Sequence, residues 1–293
     1  MNNLILFIAT LFCWSPTWYL IKFQLGYVDP LVSVFYRFIA ASLIIFIYLI
    51  IKRKNLKFSF NYHIWFLFFG TCLYSINYVF FYTSNTYLVS AFPAIVFSTV
   101  VIMNILGEWF YFKKKPTLKT FIGVAIGMLG IIIIFNKEIF NFSFSNGTHI
   151  GLLLALLGTF CASTGNMVHQ RNLNNNFPLI ETIAFAMFYG SLITLLITQL
   201  NNTELLFEFT FRYISSLAYL SVFGSIFAFV FYLKLLERVG PGRAGYVGVV
   251  MPVIALLIST IFENLEWQLN LIAGLPILLV GAVLVINQKI KSN

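Results

Sequence analysis

The feature that most limits this chain is a succession of apolar stretches, each about 17–25 residues long, the length that roughly 30 Å of hydrocarbon demands of a helix. They fall at about 4 to 23, 31 to 51, 63 to 83, 87 to 108 and 119 to 135. After a polar interval at 136 to 149 come about 150 to 169, 179 to 199, 213 to 235, 243 to 262 and 269 to 287. Inside hydrocarbon an unpaired peptide group has no water to turn to, so only a helix or a closed barrel can cross. A barrel would alternate apolar and polar residues over about ten positions, and these blocks do not alternate. The expectation is therefore an all-α integral membrane protein of ten transmembrane helices. Composition excludes the soluble classes: 60% of the residues are hydrophobic and 9% charged, where a soluble domain has roughly 45–50% apolar residues.

The net charge of +9 would suit nucleic acid, but the cations lie between the apolar stretches, so no nucleic acid partner is expected. Lys and Arg resist translocation and gather on the cytoplasmic side. With the N-terminus inside, that side receives Lys52, Arg53, Lys54, Lys57, Lys113, Lys114, Lys115, Lys119, Arg171, Lys234, Arg238, Arg243, Lys289 and Lys291, while Lys22, Lys137 and Arg212 fall outside and Arg37 lies within a span. Both termini are expected in the cytoplasm. The start, Met1-Asn2-Asn3, has neither the basic region nor the small-residue cleavage site of a signal peptide, so the first stretch is expected to stay as a span. Cys13, Cys72 and Cys161 lie within apolar stretches without metal-ligand spacing and read as small hydrophobes. No metal or cofactor is expected.

The chain also repeats itself. Phe12-Cys13-Trp14-Ser15-Pro16-Thr17-Trp18 returns in altered form at Phe160-Cys161-Ala162-Ser163-Thr164-Gly165-Asn166, and Pro30 and Pro178 follow at the same separation. Further echoes pair Phe81-Tyr82 with Phe231-Tyr232, Val89 with Val239, Glu108 with Glu263, and Gly123 and Gly130 with Gly274 and Gly281. This divides the chain into 1–141 and 142–293. Five spans per half is an odd number, so the second half enters the membrane inverted. Inverted repeats around a midplane cavity are the usual build of secondary transporters.

Taken together, these residues resemble the drug/metabolite transporter superfamily, in its ten-helix EamA-type branch. The likeness covers nearly the whole chain. It rests on Trp14-Ser15 in the first helix, Pro30 with Arg37-Phe38 in the second, Gly107-Glu108 ending the fourth, Pro252 and Glu263 in the ninth, and the glycines Gly123, Gly127, Gly130, Gly274 and Gly281 of the fifth and tenth. The second half departs from the first at Phe185, which stands where the first has Arg37, and Phe97 stands where the second half has Pro252. The resemblance implies a multi-pass carrier of the inner or plasma membrane, a monomer or homodimer. It would move small organic solutes by alternating access through a central cavity lined from both repeats, and export is favoured over import on this ground alone.

Several residues are candidates to line that cavity. Pro16 removes the donor that the Phe12 carbonyl would use, so the helix around Trp14, Ser15 and Trp18 is expected to kink beside a cavity; the alternative is that Ser15 or Thr17 repairs the ladder and the tryptophans pack. Asn166 needs a partner in hydrocarbon and points to the bundle interior, where a helix–helix hydrogen bond is the other possibility. Asn77, Tyr78 and Tyr82 share the third span, with Tyr78 and Tyr82 on one face, and Tyr232 matches them in the eighth; aromatic stripes are also ordinary core. Arg37 sits about 9 Å into the second span at 1.5 Å per residue. It could snorkel, bond to carbonyls or an acid as a structural residue, or touch the solute. Pro16, Arg37, Glu108, Pro252 and Glu263 are read as structural or gating positions.

None of the acids at 29, 108, 138, 181, 204, 208, 237, 263 and 266 falls at an expected midplane, and a proton-driven pump usually carries an ionisable residue there. His169 is the weak exception. With no Lys or Arg at the midplane either, a multiply charged anion lacks a counter-charge, and neutral or zwitterionic solutes such as amino acids or aromatic metabolites suit the lining better. A membrane-embedded transferase would want a cluster of His, Asp or Glu, whereas His63, His149 and His169 are scattered. A sensor or scaffold is the third possibility, and the intramembrane polar residues argue against it.

Overall fold

A computed structural model describes residues 2–134, 136 and 147–286. Lys137, Lys289 and Lys291, used above for orientation, and the boundary between the halves at 141 and 142 lie outside the described residues. Those residues form helices and connecting turns, with no strand among them. We label the long helices α1 (Asn3–Gln24), α2 (Pro30–Ile51), α3 (Phe60–Tyr87), α4 (Ala91–Phe112), α5 (Leu118–Ile134), α6 (Thr148–Asn174), α7 (Leu179–Leu200), α8 (Phe211–Val239), α9 (Tyr246–Phe262) and α10 (Leu269–Ile286). Seven of these, α1 to α4 and α6 to α8, are long and apolar enough to cross a membrane, and α5, α9 and α10 contain shorter apolar helices.

Local chemistry sets the ends. Asn2 accepts from the Ile5 N–H at 2.8 Å and Asp29 from the Leu31 N–H at 2.8 Å, the latter with Pro30 in the first turn of α2, where its missing donor costs nothing. Left-handed residues follow α2, α4, α6 and α7: Arg53, Lys113, Asn176 and Asn202. Hydropathy misplaces some boundaries. It ends the third span near 83, but α3 runs to Tyr87, because Asn85 donates back to the Phe81 carbonyl at 2.9 Å instead of breaking the helix. The start of α4 moves accordingly from 87 to Ala91. Likewise α6 continues past His169 to Asn174, since polar side chains that leave the hydrocarbon can stay helical until a left-handed residue stops them.

The packing partners form a pattern. α1 lies on α8 and α9, α6 on α3 and α4, α2 along α7, α4 on α9, and α5 along α10. Exchanging α1–α5 for α6–α10 leaves these pairings unchanged. α3 and α8 also share an irregularity, a turn of π-helix at Thr71–Ile76 in one and Val222–Phe227 in the other. Around this core the outer surface carries large apolar side chains such as Ile47, Ile51, Phe60, Leu196 and Phe211, far more than a surface in water sustains.

The α5–α10 pair depends on glycine. A Cβ on Gly281 would lie 2.3 Å from the Gly127 nitrogen and 2.7 Å from the Gly123 carbonyl oxygen, and one on Gly130 would lie 2.5 Å from the Leu278 nitrogen. A Cβ on Gly127 would meet only the Ile102 Cδ1 at 3.5 Å and the Leu278 Cδ1 at 4.0 Å, ordinary contacts. Gly281→Ala should therefore lower stability by about 1–3 kcal/mol through overpacking, and Gly127→Ala should not. Thermal unfolding of the two variants in detergent checks this, and equal melting temperatures would refute the close approach.

Candidate functional site

Pro16 does interrupt α1. The helix Asn3–Trp14 gives way at Ser15-Pro16, resumes over Thr17–Leu20 and tightens into a 3-10 turn at Ile21–Gln24. Two hydroxyls bond to carbonyls around the break. Thr17 Oγ1 donates to the Trp14 carbonyl at 2.6 Å, and Tyr219 of α8 donates to the Phe12 carbonyl at 3.2 Å. The carbonyl that Pro16 frees is thus satisfied from the other half of the chain. Both tryptophans are buried and both indole N–H groups are used: Trp14 Nε1 donates to the Gly224 carbonyl at 3.0 Å and Trp18 Nε1 to the Met251 sulfur at 2.8 Å. Met251 precedes Pro252, which lies inside α9.

These side chains enclose a cavity. Trp14, Trp18, Asn77, Tyr78, Asn166 and Tyr232, six of the expected residues, line it together. Ser15 and Tyr82 are buried but do not reach it; Tyr82 faces Arg37 instead. The lining also includes Thr17, Ile21, Leu73, Phe81, Ala162 and Phe229, each about one helical turn from an expected residue, and Phe97 and Met251, which had no such neighbour to mark them. The walls come from α1, α3 and α4 and from their counterparts α6, α8 and α9. About 40 Å³ is open to the centres of water-sized molecules, enough for a few waters at roughly 10–15 Å³ each.

Arg37 stands behind one wall. It is wholly buried, where a bare charge costs several kcal/mol. Its Nη2 donates to the Gly224 carbonyl at 3.0 Å, its Nε to Ser225 Oγ at 2.9 Å and its Nη1 to Tyr82 Oη at 3.4 Å. The guanidinium also covers the Tyr78 ring at 4.6 Å. Among the described residues no carboxylate makes an ion pair with it. Of the roles expected for Arg37, bonding to a carbonyl is the one found. The π turn in α8 supplies that carbonyl, and a Cβ on Gly224 would lie 2.7 Å from Thr17 Cγ2 and 3.2 Å from Arg37 Nη2, so a larger residue would push on both.

Glu263 and Glu108 occupy related places at opposite halves. The Glu263 carboxylate accepts from Ser259 Oγ at 2.6 Å, from the Ser90 hydroxyl, and from the Ser90 N–H at 3.4 Å, so α9 is tied to the residue that opens α4. Next to it Lys22 of α1 donates to the Asn85 and Leu88 carbonyls at the end of α3. Glu108 lies against the turn that opens α9, with its Oε2 3.5 Å from where a Cβ on Gly242 would be. Its ion pair, however, is with Lys114 at 3.1 Å. The histidines stay apart: His63 Nδ1 meets the Tyr189 hydroxyl at 2.8 Å, and buried His169 stacks on Phe69 with its Nε2 3.7 Å from Glu237.

A helical chain with this arrangement can be compared with known proteins. The sequence pattern of the EamA-like transporter family matches residues 1–136 and again residues 149–287. The chain belongs to the EamA-like transporter family. It is accordingly a multi-pass membrane protein of the drug/metabolite transporter superfamily. It is 25% identical over 294 residues to the uncharacterized transporter YvbV of Bacillus subtilis, covering 96% of this chain and 90% of that one. It is 23% identical to an uncharacterized transporter of Archaeoglobus fulgidus, covering 99% and 100%, and 24% identical to the uncharacterized inner membrane transporter YedA of Escherichia coli, covering 87% and 82%. A solved crystal structure shares the fold, with TM-score 0.71 at 14% identity over 97% of this chain and 96% of its own.

The geometry of Arg37 yields a test. Lysine keeps the charge but cannot hold three divergent acceptors on a planar fork. Arg37→Lys should lose at least one of the hydrogen bonds to Ser225, Tyr82 and Gly224 and cost about 1–3 kcal/mol, read as a fall in melting temperature. An unchanged melting temperature would show that the network carries no stability.

Proposed function

We propose that this protein is a secondary transporter that moves a small organic solute, neutral or zwitterionic, across the inner or plasma membrane by alternating access between two inverted halves, each of five membrane-spanning helices. The single observation that carries the reading is the cavity. It draws its walls from α1, α3 and α4 and from the corresponding α6, α8 and α9, so a rocking of one half against the other would open it to either side. The exchange-invariant packing, the two separate matches to the family and the relatives' names support the same reading. On the orientation drawn from the cations, both termini face the cytoplasm and Glu263 lies at the outer end. Export is the direction that the family likeness favours.

The contacts around Glu263 suit a gate. They join α9 of one half to α4 of the other and lie beside Lys22, which clamps α1 to the end of α3. In the proposed cycle these contacts part when the outer side opens. Ser90 Oγ and Ser259 Oγ are 2.9 Å apart, close enough for a cysteine pair to be oxidised. In a background with Cys13, Cys72 and Cys161 replaced by serine, Ser90→Cys with Ser259→Cys should form a disulfide that stops solute flux in proteoliposomes, and a reductant should restore it. Flux that continues through the oxidised pair would defeat the alternating-access reading. Trp14→Ala should lower flux at unchanged abundance in the membrane; full flux would place the path elsewhere.

A further inference from the structure

The ends of α3 and α6 that the cations assign to the cytoplasm carry a cluster outside the cavity. Arg171, one turn before α6 ends, lays its guanidinium over the Trp65 ring at 3.7 Å and stands 5.3 Å from the Phe177 ring, which itself stacks on Tyr62 at 4.0 Å. A guanidinium has five N–H donors in one fixed plane. Here one of them, on Nη1, donates to Asn172 Oδ1 at 3.1 Å, and among the described residues no carboxylate forms an ion pair with Arg171. Unlike Arg37, this side chain is not enclosed by the protein. Stacking holds the plane of its fork, the geometry that meets two phosphate oxygens at once.

More cations stand at the same end. Phe58 meets Phe66 at 5.5 Å and Phe66 meets Phe177 at 5.7 Å, so the turn between α2 and α3 and the turn between α6 and α7 share one aromatic cluster. The first of these turns carries Lys52, Arg53, Lys54 and Lys57, all exposed and none in an ion pair among the described residues. Together with Arg171 they face one acid in the stretches 52–66 and 171–185, Glu181 in the first turn of α7. Deeper in the membrane the surface is apolar. Phe160, Leu157 and Leu153 follow Arg171 along one face of α6 by helical spacing and are exposed, as is Phe68, which meets Trp65 on α3.

We infer that Arg171, backed by Trp65 and Phe177, holds the phosphate of an anionic phospholipid whose acyl chains run down the exposed face of α6 beside Phe68. The basic turn between α2 and α3 adds to the attraction, since cations close to the membrane surface draw anionic lipids. A headgroup that also carries an amine fits less well, because it would stand among five cations with one carboxylate to meet it. Free phosphate would use the charge and leave the apolar face unused. The site lies apart from the cavity and does not depend on the transport reading.

Native mass spectrometry of the full chain purified in detergent is the test, with phosphatidylglycerol, phosphatidylethanolamine and phosphatidylcholine of one acyl composition added in turn. Phosphatidylglycerol should bind at least about fivefold more tightly than either of the others, the factor that one cation contributes beside an anionic surface. Arg171→Gln should lose that preference. Arg212→Gln removes an equal charge at the opposite end of the bundle, where the guanidinium lies over Phe23 at 3.9 Å, and should keep it. Arg171→Lys retains the charge without the stacked fork and should fall between parent and Arg171→Gln; it carries the test if the glutamine variant is not recovered folded. Equal binding of the three lipids overturns the inference. So does a preference that survives Arg171→Gln, is lost with Arg212→Gln or is unchanged in Arg171→Lys. Inorganic phosphate at millimolar concentration should leave the bound lipid in place, and displacement would overturn the assignment to a lipid.

Discussion

The arrangement depends on one carbonyl. In hydrocarbon every peptide group has to find a partner within the protein, so a helix that departs from the α pattern creates acceptors that something else must satisfy. The π turn at Val222–Phe227 offers the Gly224 carbonyl to two donors from the first half of the chain, Trp14 Nε1 and Arg37 Nη2. Each party needs the others. Arg37 without this carbonyl and Ser225 would lose two of its hydrogen-bond acceptors, and Trp14 without it would bury an idle N–H. Tyr219, also on α8, covers the Phe12 carbonyl that Pro16 leaves free. The break in α1 and the π turn in α8 are therefore one construction, and it orients the tryptophan that walls the cavity.

Corresponding positions in the two halves carry different chemistry. Where α2 holds Arg37, α7 holds Phe185, which stacks on Phe66 at 5.2 Å and meets His63 edge-on. The π turn of α3 is joined to α7 by Ser75 and Thr194 at 2.7 Å, a neutral contact in the place where α8 has a guanidinium. α1 brings Trp14 and Trp18 to the cavity, and α6 brings Asn166 and Ala162. A frame of matched helices thus brings tryptophans from α1 and an amide from α6 to one cavity, with the Arg37 guanidinium over the Tyr78 ring.

Much of this could be read before any coordinates. The all-helical membrane fold and the glycines of the fifth and tenth helices follow from constraints that act on sequence directly, namely the need to pair every peptide group in hydrocarbon and close backbone approach. Asn166 was legible because an amide in hydrocarbon requires a partner. Asn104, one of its two partners, is an amide within the fourth apolar stretch and carries the same signal. Tyr78 and Tyr82 share a face by spacing, yet one lines the cavity and the other turns to Arg37, because side chains on a common stripe still meet different neighbours along it. Thr17, Ile21, Leu73, Phe81, Ala162 and Phe229 lie one turn from residues already singled out, so extending each face finds them, whereas Phe97 and Met251 have no such neighbour. Ser15 shows the opposite case: it adjoins Trp14 in sequence and does not reach the cavity.

The two glutamates bear on how such a frame could move. Glu263 is held by two hydroxyls and a peptide N–H in a contact that joins the halves, whereas the ion pair of Glu108 is with Lys114, whose side chain is 53% exposed, and such exposed pairs contribute about 0–1 kcal/mol. The described conformation is therefore fastened more firmly at the Glu263 end. A solute can shift that balance only by binding one conformation better than the other.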